Sequence, residues 1–148
     1  VRAIVRASKD AIDGHCRRAS LYKCSAGWMG LHDLPTAFQR SDIQETMSGE
    51  TFLRDWYGDK AKLGVVSPTN LASQIKAPVF LAAGGEDKRT PSQHTELMER
   101  RLKAAGVPVE TLYKKTEGHG FYKPENQQEY YTRLLAFFNR HLGGATAK

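Results

Sequence analysis

Two residues able to exchange a proton stand in glycine-flanked loops, 32 positions apart. Asp87 lies within Gly84-Gly85-Glu86-Asp87-Lys88-Arg89-Thr90-Pro91, and His119 within Glu117-Gly118-His119-Gly120-Phe121. An imidazole with one nitrogen on a buried carboxylate keeps its proton on that side and offers the other nitrogen as a base. The carboxylate then stabilises the imidazolium that forms. An aspartate and a histidine are two-thirds of a Ser-His-Asp triad. The third member is missing in its usual setting, because no Gly-x-Ser-x-Gly occurs anywhere in the 148 residues. The plain reading competes with the catalytic one: loop aspartates mostly cap or turn the chain, and loop histidines are mostly solvated.

The elements around the two loops are those of an α/β domain. Residues 22–29, ending at Gly30, are predicted as a first strand, and 31–59 as a long irregular excursion over the sheet edge or the site. Ser67-Pro68 predicts an N-cap and first residue of a short helix reaching about Ile75. Pro78-Val79-Phe80-Leu81-Ala82-Ala83 is apolar without alternation, which predicts a strand buried on both faces. Asp87 follows it, just past the carboxyl end where α/β sheets place their working groups. Thr90 then reads as an N-cap, with Pro91 at the first helical position and Gln93 completing a capping box. Leu97, Met98, Leu102 and Ala105 recur at helical spacing until Gly106 and Pro108 stop the helix. Residues 109–114 form the next predicted strand, which delivers His119. Pro124 opens a last helix with Tyr131, Leu134, Leu135, Phe138 and Leu142 as its apolar stripe.

Composition excludes several classes. A hydrophobic fraction of 40% and a charged fraction of 26% are globular values. No apolar run approaches the roughly 18 residues of a membrane span, so a membrane partner is not expected. The start, Val1-Arg2-Ala3-Ile4-Val5-Arg6, has no apolar core of a secretory signal. Cys16 and Cys24 lack zinc spacing and are too few for a disulfide framework. They read as free thiols in a reducing compartment, so a cytoplasmic location is expected. Six of the 22 basic residues, but only two of the 16 acidic ones, fall in the first 23 positions. That local surplus accounts for most of the net charge of +6. It has no interleaved aromatics on which bases would stack, so nucleic-acid binding is not expected. His94 and His141 read as boundary residues of their helices, and Cys24 as a small buried hydrophobe. The aromatics of 52–57 either line a pocket or pack an inserted segment. Arg89 either anchors the acid loop or meets a substrate carboxylate.

Leu21-Tyr22-Lys23-Cys24, His32-Asp33-Leu34-Pro35, Ser67-Pro68-Thr69-Asn70 with Ile75-Lys76-Ala77-Pro78-Val79, and Gly84 through Pro91 form an ordered series of motifs. Ala104-Ala105-Gly106-Val107-Pro108-Val109-Glu110 and Gly118-His119-Gly120-Phe121 continue it, over about four-fifths of the chain. In order and spacing this series resembles the C-terminal half of the prolyl oligopeptidase family of serine peptidases, particularly its acylaminoacyl-peptidase and dipeptidyl-aminopeptidase-like members. The resemblance implies the C-terminal portion of an α/β-hydrolase fold, mostly parallel sheet with helices packed on it. It implies Asp87 and His119 as triad residues, in the chain order Ser, Asp, His. It also implies cleavage of short peptides with neither metal nor organic cofactor. The family's nucleophile should lie shortly before Leu21. Ser8 is the nearest candidate, but Arg6-Ala7-Ser8-Lys9-Asp10 lacks both glycines that relieve crowding at the strained strand-to-helix turn.

Residues 1–20 are therefore read as an atypical basic segment and 21–148 as the C-terminal part of a peptidase catalytic domain. The expected function is serine-type peptidase chemistry to which this chain brings Asp87 and His119, with no recognisable nucleophile and no turnover when isolated. An esterase of the dienelactone type and an inactive unit that only folds or associates are the alternatives. With three predicted strands, the first is expected to leave an unpaired edge. A second copy or a complementary fragment is the expected partner for it.

Overall fold

The run from Val79 to Gly84 has no polar face to turn toward water, so it can only be a central strand. The computed structural model describes residues 3–6, 21–46 and 48–143. Its strands are β1 (Ala3–Arg6), β2 (Cys24–Trp28), β3 (Val79–Gly84) and β4 (Val109–Lys114). They form one sheet in that order, and each neighbouring pair is parallel. The described helices are α1 (Leu34–Arg40), α2 (Gly49–Tyr57), α3 (Leu63–Val66), α4 (Gln93–Ala104) and α5 (Pro124–Leu142). All four strands end on the same edge of the sheet, so the loops that follow them share one side of the molecule.

Burial on both faces of β3 follows from the alternation of side chains along a strand. Phe80 and Ala82 pack with Tyr130, Leu134 and Phe137 of α5. Val79 and Leu81 pack on the other face with Met98 and Leu102 of α4 and with Ile75. A third cluster, Leu34, Phe38, Leu53 and Leu63, holds the excursion together.

Five sequence expectations change. The stretch 31–59 is helical, not irregular, and its signal was a cap: the Thr36 N–H donates to Asp33 Oδ2 at 3.1 Å. The expected short helix is present at Pro68–Gln74, with Ser67 in the N-cap position and Pro68 first, but it is a 3-10 helix and the Ser67 hydroxyl makes no cap bond. That hydroxyl donates to the Leu63 carbonyl at 2.8 Å and accepts the Leu34 N–H at 3.0 Å, tying α1 to α3. α4 starts at Gln93, after Ser92, and Thr90 is not its cap; His94 and Thr95 take the buried places expected of Leu97 and Ala105. The stripe of α5 holds at Leu134, Phe138 and Leu142, which pack on the core, and shifts by one residue elsewhere. Tyr130, Leu134 and Phe137 are buried, while Tyr131 is 52% and Leu135 61% exposed. The doublets Tyr130-Tyr131, Leu134-Leu135 and Phe137-Phe138 fit two neighbouring stripes equally well, so spacing cannot choose between them. Finally, the inner edge of β2 is not open, because Ala3–Arg6 pairs along Cys24–Gly27.

Phe137→Ala is expected to cost about 3–5 kcal/mol of unfolding free energy, as loss of a fully buried ring does. Tyr131→Ala and Leu135→Ala should each stay within roughly 0.5 kcal/mol. Chemical denaturation checks the ranking, and the reverse order would put the other stripe on the sheet.

Candidate active site

The loops after β3 and β4 approach so closely that a side chain at Gly84 has no room. A Cβ there would lie 2.3 Å from the carbonyl oxygens of both Glu117 and Gly118. The contact continues the β3–β4 ladder outward: the Gly85 N–H donates to Lys114 O at 2.9 Å and the Glu86 N–H to Glu117 O at 2.9 Å. The acid loop and the histidine loop are thus one hydrogen-bonded unit.

Within it, His119 Nδ1 stands 2.9 Å from Asp87 Oδ2. The Asp87 side chain is wholly buried and that of His119 is 45% exposed, so the pair runs from the interior to the surface. Two more donors hold the carboxylate, the Thr90 N–H on Oδ1 at 2.8 Å and the Thr90 hydroxyl on Oδ2 at 2.8 Å. Burial pushes the carboxyl up, but the bonds from His119 and then Thr90 outweigh it and hold Asp87 below the usual carboxylate range. At neutral pH it is an anion facing an imidazole, and the ring's Nε2 is left for a reacting group.

Each loop has its own anchor. Phe121 is buried, with its ring 5.6 Å from that of Trp28 and 5.7 Å from that of Tyr130. The Glu117 carboxylate accepts from Asn126 Nδ2 at 2.5 Å and from the N–H groups of Tyr122 and Lys123 at 2.8 and 3.1 Å. Those bonds, the Asn126 one foremost, keep Glu117 below the usual range. They fasten the histidine loop to the amino end of α5, which suits a negative charge. Gly120, with φ +148°, makes the turn between His119 and Phe121. On the acid side, Arg89 Nε lies 2.6 Å from Asp42 Oδ1, and the Ser41 hydroxyl donates to Arg89 O at 2.8 Å. Of the two readings of Arg89, the loop anchor is the contact present.

Two further histidines are buried in the domain, and one of them, His94, lies close enough to Asp87 to feel its charge. His94 is fully buried, not a boundary residue, and its Nδ1 accepts the Asp33 N–H at 3.2 Å. His32 is also fully buried, in the space left by the absent side chain of Gly30. Burial lowers both rings, His32 to about 3 and His94 to about 4, the latter against the pull of Asp33 and Asp87. His141 is half-buried against Phe137, as expected. Cys24 is buried, and burial pushes its thiol up. Of the aromatics in 52–57, Phe52 and Trp56 are exposed, and Phe52 borders an open groove of about 700 Å³ with Ile43 and Arg89. Tyr57 packs with the excursion's own cluster. Ser8 and Cys16 lie outside the described residues. Among the described residues, no group of three or more His, Cys, Asp or Glu can hold a metal, and no helix is long and apolar enough to cross a membrane.

The profile of the prolyl oligopeptidase family matches residues 15–145. The chain belongs to the prolyl oligopeptidase family. Its sheet and helices are those of the α/β-hydrolase fold, and its relatives are serine peptidases and hydrolases. It is 32% identical over 78 residues to dipeptidyl aminopeptidase BIII of Pseudoxanthomonas mexicana, covering 53% of this chain and 11% of that protein. It is 32% identical over 97 residues to a provisionally named carboxymethylenebutenolidase of Yersinia pestis, covering 58% and 36% respectively. The fold is shared with uncomplexed Pyrococcus horikoshii acylaminoacyl peptidase at a TM-score of 0.85 and 24% identity, over 99% of this chain and 25% of that one. The chain therefore spans between about a tenth and a third of the length of these curated relatives.

Two outcomes test the geometry of this prolyl oligopeptidase family site. Gly84→Ala should push the two loops apart at a cost of about 1–3 kcal/mol, and the His119–Asp87 contact should lengthen in a crystal structure. Acid should also weaken the fold in a definite window. His32 and His94 are neutral when folded, whereas an unfolded histidine takes its proton near pH 6.5. The unfolded chain thus binds more protons between pH 6.5 and the folded values of about 3 and 4, and stability is lost as pH falls through that range. Asp87, with its lowered folded value, adds its loss only at lower pH, below the ordinary aspartate value of about 3.9. Each histidine contributes a slope of about 1.4 kcal/mol per pH unit. His94→Asn, which keeps an acceptor for the Asp33 N–H, should roughly halve the slope between pH 6 and 5 in denaturation curves.

Proposed function

We propose that Asp87 and His119 are the acid and base of a serine-peptidase triad acting on short peptides. The observation that carries the reading is the 2.9 Å contact between a wholly buried carboxylate and a half-open imidazole at the carboxyl edge of the sheet. In such a triad Nε2 takes the proton of a serine hydroxyl as its oxygen bonds to the substrate carbonyl carbon. The resulting imidazolium, held by Asp87, returns that proton to the leaving nitrogen as the C–N bond breaks. The reaction uses no metal or organic cofactor. The nucleophile is the part without a recognised residue. β1 ends on the same sheet edge as β3 and β4, and Ser8 follows Arg6 by two positions in the chain. It does so without the glycines of a nucleophile elbow.

A second reading, an esterase using the same pair, is favoured by the match to the Yersinia pestis carboxymethylenebutenolidase. The reading also includes a partner, a second copy or a complementary fragment along the outer edge of β1, which pairs with no further strand among the described residues, because such an edge invites pairing. Light scattering that gives only monomer at high concentration, with or without added fragment, would remove it.

The unmodified chain is expected to take no label from a fluorophosphonate probe and to turn over neither aminoacyl anilides nor phenyl esters. Labelling that Ser8→Ala abolishes would overturn that expectation. Introducing the elbow glycines, Arg6→Gly with Asp10→Gly, should bring labelling of Ser8. That labelling should fall on the order of 10² or more with His119→Ala, and on the order of 10⁴ with Asp87→Asn through the wrong tautomer. Labelling indifferent to both changes would sink the triad assignment. Preference for anilide or ester by the glycine variant separates the two readings.

A further inference from the structure

The hydroxyl of Thr90 stands among three polar atoms from three different strand ends. Oγ1 lies 2.8 Å from Asp87 Oδ2, 3.1 Å from the Met29 carbonyl oxygen and 3.2 Å from His119 Nδ1. Thr90 is itself buried, and its N–H is fixed on Asp87 Oδ1. A hydroxyl has one hydrogen to give and two lone pairs. A carbonyl and an ionised carboxylate can only accept. With Nδ1 protonated, the hydrogen of Thr90 goes to Met29 or to Asp87 and Oγ1 turns a lone pair to His119. With Nδ1 bare, the hydroxyl would have to give its hydrogen to the ring and leave only lone pairs against the Met29 and Asp87 oxygens, which can only accept. In the first arrangement Nδ1 faces two acceptors, Oδ2 and Oγ1, and both ask it to carry the proton.

The carbonyl that completes this arrangement is held in place at a cost. Met29 is the one described non-glycine residue with positive φ, at +51°. Its N–H continues the ladder onto Ala82 O at 2.8 Å, while its carbonyl reaches Thr90. Residues other than glycine enter this region rarely, and remain there when surrounding contacts over-determine them.

We propose that Thr90 is a positioning residue for His119: seated between the Met29 carbonyl and the Asp87 carboxylate, its hydroxyl acts with Asp87 to hold the imidazole as the Nδ1–H tautomer, leaving Nε2 as the basic nitrogen. Its significance for catalysis rests on the triad reading above, whereas the tautomer itself is a property of the folded chain. Asp87 supplies the charge and Thr90 the second oxygen, so the ring is held by a fork and not by a single bond.

The test is nitrogen NMR of the whole chain labelled with ¹⁵N-histidine, about two pH units above the ordinary histidine value of roughly 6.5. The wild type and Thr90→Ser should show His119 in the Nδ1–H form. Thr90→Val, which keeps the shape and removes the hydroxyl, should lower the ratio of Nδ1–H to Nε2–H by about fivefold, the effect of one ordinary hydrogen bond. Thr90→Ala carries the same expectation should valine prevent folding. An unchanged ratio in Thr90→Val or Thr90→Ala overturns the proposal, as does a serine variant that behaves like valine. Asp87→Asn separates this from the triad reading. If the tautomer ignores Asp87→Asn yet shifts with Thr90→Val, the Asp–His reading fails and the role of Thr90 stands. If it ignores Thr90→Val and shifts with Asp87→Asn, the reverse holds.

Discussion

A carboxylate taken wholly out of water must be met by donors, or it gives up its charge. Asp87 is met by the Thr90 N–H, the Thr90 hydroxyl and His119 Nδ1. Much of the site's construction follows from that requirement. The Thr90 donors come from the same loop, which explains why this threonine is not free to cap α4. The histidine comes from the next strand, and it arrives only because Gly84 lets the two loops touch. The Met29 carbonyl comes from a third strand end and keeps the hydroxyl in line. Three adjacent parallel strands thus converge on one buried oxygen pair.

The histidine side is secured differently, by apolar packing and a second carboxylate. Phe121 enters the cluster of Trp28 and Tyr130, so the residue two positions after His119 is part of the core. Glu117, two positions before it, is bound by the amino end of α5. His119 is fixed on both sides while its own ring remains 45% exposed. The base of the proposed triad would have to be placed accurately and still be reached, and this loop meets both demands through its neighbours in sequence.

What the sequence made legible was whatever depends on local chemistry. The unbroken apolar run of β3 announced a strand with two covered faces, and Pro124 announced the start of α5. The positions of Asp87 and His119 followed from the same reasoning, since residues just past parallel strand ends share one edge. What stayed hidden depends on long-range contacts. Thr90 followed by Pro91 and Gln93 is a sound capping pattern, overridden because the hydroxyl has better partners 61 and 29 positions away. The doublets of α5 left its phase open until the sheet chose one face. His94 looked like a boundary residue because nothing local says that Asp33, on another element, will need its Nδ1. Ala3–Arg6 is too short and too charged to read as a strand until β2 supplies its ladder.

Ion pairs are common on this molecule, so contact alone does not single out Asp87 and His119. Arg140 with Glu110 and Arg89 with Asp42 are as close, yet all four side chains are substantially exposed and such pairs add little in water. What distinguishes the site is the collection of unfavourable choices gathered around it. Met29 holds a left-handed backbone. Among the described residues, neither ring nitrogen of His32 has a hydrogen-bond partner, nor has His94 Nε2. Both rings are neutral only because burial forces them to be, and one of them feels the charge of Asp87. A domain under selection for stability alone has cheaper solutions at each of these positions, an asparagine or glycine at 29, an aliphatic side chain at 32 and, at 94, an uncharged acceptor such as asparagine for the Asp33 N–H. Strain and unmet polarity accumulate where geometry matters more than stability. Here they gather around Asp87 and His119 and around none of the surface ion pairs, which supports the proposed reading of that pair as a site over that of a salt bridge.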